Sequence, residues 1–189
     1  MPHDRGGSPP EPWQSFFKEL DHRLGQPASI HCLGGFVLVH QYHVSRTTVD
    51  LDFATVVPHY LLPTLVALGG RASPLCLKHH VYLDPVTVAA FPADYESRLT
   101  TMYSGAWTHL ELQAMEVHDL VLAKIERNSA RDRYDVMSLA QAGLLDTEIL
   151  RRRYHEELRP YLLSHQESHD LTLNLWIESC QEKNFDLDR

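Results

Sequence analysis

Apolar residues at Trp13, Phe16, Phe17, Leu20 and Leu24 recur at helical spacing, with Lys18, Glu19 and Asp21 between them, and predict a first helix over 13–24. Gly25-Gln26-Pro27 ends it, and the largely apolar run Ser29 to Leu33 predicts a buried strand. Gly34-Gly35 interrupts that run before Phe36 to Tyr42, which is apolar almost all round and reads as a short buried helix. Thr48 to Ala54 then alternates: Val49, Leu51 and Phe53 fall on one face of a strand, Thr48, Asp50 and Asp52 on the other.

The pattern continues with a helix over Pro58 to Leu68, begun or kinked at Pro63 and closed by Gly69-Gly70. His80 to Leu83 and Val86 to Phe91 are β-rich and separated by Asp84-Pro85, which predicts two short strands or one broken one. A short helix over Tyr95 to Leu99, a loop over Met102 to Trp107 and a strand over His109 to Met115 follow. Glu116 to Arg127 has helical spacing, and Ser129 is placed to cap the next helix with Asp132 in a capping-box position. That helix continues through Tyr134 to Ala142 and stops at Gly143. Asp146 can cap another, with Leu145 stapled to Leu150. On it Arg151, Arg152 and Arg153 read as a solvated face balanced by Glu156 and Glu157. Pro160 breaks the chain, and Leu171 to Cys180 predicts a last helix with Leu171, Leu175 and Trp176 inward, followed by a frayed tail over 184–189.

These elements describe an α/β architecture: a small mixed sheet flanked by helices over about two-thirds of the chain, then a helical C-terminal part. The expected divisions are a flexible tail over 1–12, a core over 13–142 and a helical extension over 143–189. No apolar run approaches the roughly 18 residues needed to cross a bilayer, and Met1 to Pro12 lacks an export-signal pattern, so a cytoplasmic protein is expected. Three scattered cysteines fit reduced thiols. A net charge of -8 argues against a surface built broadly for nucleic-acid backbones, and no DNA-binding motif is present. The thirteen histidines, His79-His80 and the pair His40 and His43 included, match no zinc-ligand spacing.

The candidate chemistry lies between Gly34 and Phe53. A strand, a glycine turn and a helix start leave backbone N–H groups that a phosphate can reach, because glycine alone permits so close an approach; a ligand-free tight turn has the same sequence. Asp50 and Asp52 on one strand face repel each other unless water, a cation or a basic group compensates. Mg²⁺ held by carboxylates and phosphates is one solution, a solvated outer face the other.

Taken together, Leu33-Gly34-Gly35 and Val49-Asp50-Leu51-Asp52-Phe53 resemble the signature of the nucleotidyltransferase superfamily: Gly-Gly or Gly-Ser at a helix start, then an apolar-Asp-apolar-Asp strand. Arg46-Thr47-Thr48, ahead of the first aspartate, is similar to the Arg-x-Thr of the branch that holds the AbiE-type toxins and related bacterial proteins. That resemblance implies Mg²⁺ or Mn²⁺ on Asp50 and Asp52, and nucleotide binding by Gly34, Gly35, Arg46 and Thr48. It also implies a third carboxylate on a following strand. Val86 to Ala90 contains none, which leaves Asp84, Asp94 or no acid at all.

A second block, Asp119 to Arg127 followed by Arg131-Asp132-Arg133-Tyr134-Asp135, resembles the helix with a lysine and the trailing basic-Asp pattern of the same branch. By that similarity Lys124 and Arg131 would bind nucleotide, while Asp132 or Asp135 would support the base or the cation. The resemblance covers about residues 28–142. It implies transfer of a nucleoside monophosphate from a nucleoside triphosphate to a hydroxyl of an RNA or protein acceptor, with an antitoxin as a partner in the manner of the branch. The competing expectation is a catalytically silent module of the same fold that binds nucleotide or a partner.

Overall fold

A computed structural model describes residues 7–87 and 89–187, with side chains up to residue 181. Residues 1–6 of the expected tail, Val88 of the expected strand 86–91 and residues 188–189 of the expected frayed end lie outside the described residues. Among the described residues the chain forms eight α-helices and a five-stranded mixed sheet. It divides into two compact units, one comprising the chain up to Thr87 with Leu99–Met115, the other Val88–Arg98 with the chain from Glu116 onward. No helix among the described residues is long and apolar enough to cross a membrane.

The first unit holds the sheet, in the order β3-β2-β1-β5-β4. Its strands are β1 (Ala28–Leu33), β2 (Asp50–Val57), β3 (Tyr82–Pro85), β4 (Thr100–Met102) and β5 (Leu110–Ala114). β1 runs antiparallel to β2 and parallel to β5, β3 runs parallel to β2, and β4 antiparallel to β5. Residues on both faces of β1 are buried, five of its six in all, which is why it reads as an apolar run instead of an alternation. β2 keeps its alternation only as far as Phe53. The register with β1 slips between His31 and Cys32, so Ala54 is an extra residue and Val56, not Thr55, turns inward.

Helix α1 (Trp13–Leu24) has the expected limits and buries the expected five residues. Its Trp13 ring stacks on Phe17 at 5.4 Å and meets Phe36 edge-on at 4.8 Å. Burial of each such ring contributes roughly 1.5–3 kcal/mol. Asp21, on the outer side, accepts the backbone amides of Thr108, His109 and Leu110 and so fixes the entry to β5. Helix α2 (Gly34–His40) follows β1 directly. Pro63 is accommodated by a 3₁₀ turn, His59–Leu61, followed by α3 (Leu62–Gly69), which places the proline in a first turn where no amide is needed.

Several expectations are corrected. Val49 is 55% exposed, because the strand begins at Asp50. Thr48 spends its hydroxyl on the Asp50 carbonyl and carboxylate, and so turns the chain ahead of the ladder. Helix α4 (Pro74–His79) carries a Ser73 cap and Pro74 at its start, but its six residues are too few to show a period. β4 is three residues held by its pairing with β5. The described residues of 86–91 form no strand: β3 takes in Asp84-Pro85 and ends there. As an edge strand it loses no ladder bond to the proline.

The second unit contains α5 (Val117–Leu122), α6 (Ala130–Gln141), α7 (Thr147–Arg153) and α8 (Gln166–Leu187). α5 is shorter than expected: beyond Leu122 the bonds tighten to Lys124 N–Val121 O and Ile125 N–Leu122 O, and Asn128 takes a left-handed backbone at φ 40°. Arg153, read as part of a solvated face, instead turns inward and donates to Glu116 and buried Asp119, which also receives both ends of the Arg98 fork. On α8 the inward face is His169, Thr172, Leu173, Trp176, Ile177 and Cys180, while Leu171 and Leu175 are 61% and 50% exposed. The 3–4 spacing that starts at His169 outweighs the simple pairing of leucines.

Candidate functional site

The end of β1 and the start of β2 lie side by side, with Leu33 opposite Asp52. Gly34 turns the chain from strand into helix at φ +68°, and a Cβ there would stand 1.9 Å from the Asp52 carboxylate oxygen. A Cβ on Gly35 would stand 2.5 Å from the Arg46 guanidinium and 2.9 Å from the Thr48 hydroxyl. Gly34 is therefore required by its backbone and by its close approach to Asp52, while Gly35 leaves room for the side-chain ends of Arg46 and Thr48. Thr48 Oγ1 in turn lies 2.7 Å from Asp50 Oδ1 and can donate to it. All six residues singled out in the first block are thus brought to one place.

β3 adds what the spacing left open. In the parallel register Asp50 faces Tyr82 and Asp52 faces Asp84, so two residues from each strand share one face of the sheet. One carboxylate oxygen from each of Asp50, Asp52 and Asp84 lies within 4.8 Å of the others, and each residue is partly exposed. Of the two acids left open by the sequence, Asp84 is the one that joins Asp50 and Asp52. Asp94 lies in the other unit, where its carbonyl accepts Ser97 ahead of the 3₁₀ turn Tyr95–Arg98. The signal for Asp84 was the alternation Tyr82, Leu83, Asp84 about a buried Leu83, but Asp-Pro carried a stronger turn reading.

An all-oxygen, all-anionic donor set suits a hard divalent cation. Octahedral Mg²⁺ with bonds of about 2.1 Å sets adjacent ligand oxygens about 3 Å apart and opposite ones about 4.2 Å apart. Three carboxylate oxygens within 4.8 Å of one another are close to that spacing, and the residues fit the ion in number and chemistry. Tyr82 and Arg71 complete the surroundings, and neither was singled out from the sequence. The Arg71 guanidinium donates to the Tyr82 hydroxyl at 2.5 Å, sits 4.6 Å from its ring centre and lies 3.6 Å from Asp84. The Tyr82 phenol pKa is pushed up by burial and by the charges of Asp50, Asp84 and Asp52, with Arg71 acting against them.

The second block forms a site of its own kind inside the second unit. Lys124 is 6% exposed, and its ammonium donates to Asp132 at 3.2 Å and to Asp135 at 3.0 Å. Asp132, with no exposed surface, also accepts both ends of the Arg127 fork and the amide and hydroxyl of Ser129, completing the expected capping box. Burial acts to raise its pKa, but the Arg127 and Ser129 hydrogen bonds and the Lys124 charge outweigh it and hold the carboxyl below its ordinary range. Arg131 is on the exposed side of α6.

A mixed sheet with a Gly-Gly turn set against an Asp-x-Asp strand is the arrangement that the resemblance to nucleotidyltransferases implied. Residues 15–183 match a family described as a nucleotidyltransferase of unknown function, DUF6036. The match spans most of the chain, and the chain belongs to that family. No curated protein and no solved structure matches it.

Proposed function

We propose that the protein transfers a nucleoside monophosphate from a nucleoside triphosphate to a hydroxyl group of an RNA or protein acceptor. The observation that carries this reading is the convergence of Asp50, Asp52 and Asp84 on one sheet face, in a chain of a nucleotidyltransferase family. Asp50, Asp52 and Asp84 would hold Mg²⁺ or Mn²⁺. Such an ion supplies charge neutralisation for the phosphates and for the transition state. The glycine turn keeps Asp52 against the backbone, Thr48 orients Asp50, and Arg46 offers a guanidinium fork to phosphate oxygens. The acceptor oxygen bonds to the α-phosphorus as the bond to the β-phosphate oxygen breaks, releasing pyrophosphate. The acceptor's proton passes to a carboxylate of the cluster and from there to solvent.

Lys124, Arg131, Asp132 and Asp135 enter this reading through the resemblance alone, as nucleotide contacts and their supports. The reading of a catalytically silent module rested on a cleft one carboxylate short and on the net charge of -8. Asp84 supplies a candidate for that group and favours the active reading. The AbiE-like branch, a toxin role with an antitoxin partner and a cytoplasmic site of action, where nucleoside triphosphates are supplied, belong to the same proposal.

The test is incubation with each nucleoside triphosphate labelled at the α-phosphate, Mg²⁺, and cellular RNA or protein, beside Asp52→Ala. Label transferred by the wild type and not by the variant supports the reading; no transfer to any acceptor by the folded wild type contradicts it. For the toxin role, expression of the wild type should slow growth and Asp52→Ala should not.

A further inference from the structure

The four side chains that β2 and β3 present on the shared face form a square, with acids at three corners and Tyr82 at the fourth. Tyr82 is the corner that carries a cation. Arg71 reaches it from the turn after α3, where Gly70 bridges to Leu83 of β3 and accepts the Ser73 amide at 3.0 Å. A Cβ on Gly70 would stand 2.5 Å from the Val66 carbonyl, so a glycine is required for that close passage. The base of Arg71 is thereby held against the edge strand, while its side chain is 71% exposed.

This pairing adds little to stability. An exposed ion pair with a nitrogen–oxygen separation of 3.6 Å is screened by water and salt and holds the fold only weakly. The placement matters more for charge. Three carboxylates repel a nucleotide's phosphate tail, and one divalent ion offsets only two of their three charges. Arg46, on the β1 side of β2, supplies one cation, and Arg71 on the β3 side supplies a second. Guanidinium donors are planar and forked, and they match phosphate oxygens in pairs.

We propose that Arg71 binds the phosphate tail of the nucleotide at the aspartate cluster, with Tyr82 as its positioning residue. The inference rests on the nucleotidyl-transfer reading of that cluster. Tyr82 keeps the guanidinium beside Asp84 through one hydrogen bond and the ring face, and leaves its other donors for phosphate.

Binding of each of the four non-hydrolysable α,β-methylene nucleoside triphosphates in Mg²⁺, measured by calorimetry, tests this. Wild type, Arg71→Ala, Arg71→Lys and Tyr82→Phe are compared, with binding of Mn²⁺ alone followed by electron paramagnetic resonance. Arg71→Ala should weaken the triphosphate analogue about 10- to 100-fold, in keeping with charge-assisted hydrogen bonds. It should leave Mn²⁺ affinity unchanged or slightly tighter and the melting temperature within a degree or two. Arg71→Lys should recover part of the loss. Tyr82→Phe should weaken the analogue by less, and the double variant should bind no worse than Arg71→Ala. Analogue affinity within about twofold of wild type in Arg71→Ala, or an equal loss of Mn²⁺, overturns the role of Arg71 and leaves nucleotidyl transfer standing. A wild type that takes up none of the four metal–nucleotide complexes overturns the underlying reading and this inference with it.

Discussion

Asp84→Asn separates a metal-binding carboxylate from a merely solvated one, because the two roles change stability in opposite directions. Without metal, Asp84 is in two pairs of acids whose oxygens lie within 4.8 Å of each other. At water-like permittivity, each pair at that distance repels by about 0.9 kcal/mol. Its attraction to Arg71 at 3.6 Å offsets about 1.2 kcal/mol of the combined repulsion. The metal-free variant should therefore be more stable by about 0.6 kcal/mol, a rise of roughly 1–2 °C in Tm for a chain of this length. At about ten times its Kd, Mg²⁺ stabilises the wild type by about 1.4 kcal/mol, or roughly 3–6 °C. The variant, with two carboxylates left, should gain less than a third of that. The order of the two melting temperatures should reverse between chelator and Mg²⁺, measured at matched ionic strength so that screening does not contribute. An Asn variant that is less stable in chelator, or that keeps the full Mg²⁺ shift, refutes the assignment of Asp84 to the cation.

Gly34→Ala should lose more than about 2 kcal/mol in urea unfolding and lose Mn²⁺ binding, since φ +68° and a Cβ 1.9 Å from the Asp52 carboxylate act together. Lys124→Met should destabilise by about 3–5 kcal/mol by leaving Asp132 and Asp135 buried beside one cation fewer, and Asp132→Asn with Lys124→Met should recover part of it. Burial, helped by the neighbouring His43, lowers the His40 pKa to about 4 while its Nδ1 lies 3.1 Å from the Tyr103 hydroxyl. His40 thus contributes stability that is complete above its unfolded pKa of about 6.5 and is lost as pH falls toward 4. Between pH 7 and 5 the wild type should lose about 1–2 kcal/mol more than His40→Gln in parallel urea titrations; equal losses would exclude a His40 held neutral at its half-buried position.

Much of the fold was legible because it is local. α1 has both its limits and its buried face in the spacing of five apolar residues, and the Ser129 and Asp146 caps are set by side chains two or three positions from the amides they accept. The pairing of Gly34-Gly35 with Asp50 and Asp52 was legible through the resemblance, and the register of Leu33 with Asp52 gives its physical reason. What could not be read is non-local. Asp84 joins the other acids only because β3 pairs in parallel with β2, a fact that no local pattern around Asp-Pro carries. Arg71 depends in the same way on a single bridge from Gly70 to Leu83. The inward face of α8 was misjudged because two prominent leucines drew the phase away from the smaller signals of His169 and Thr172.

Nucleotidyl transfer at this aspartate cluster leaves a labelling pattern that no other phosphate chemistry leaves. Its most direct measurement is a comparison of the same nucleoside triphosphate labelled at the α- or the γ-phosphate, with wild type and Asp84→Asn, in Mg²⁺ and with an acceptor extract. The α-label should become acceptor-bound while the γ-label leaves as pyrophosphate, and the variant should lose both signals. Acceptor-bound γ-label, release of orthophosphate alone, or an undiminished signal from Asp84→Asn would contradict nucleotidyl transfer at the cluster.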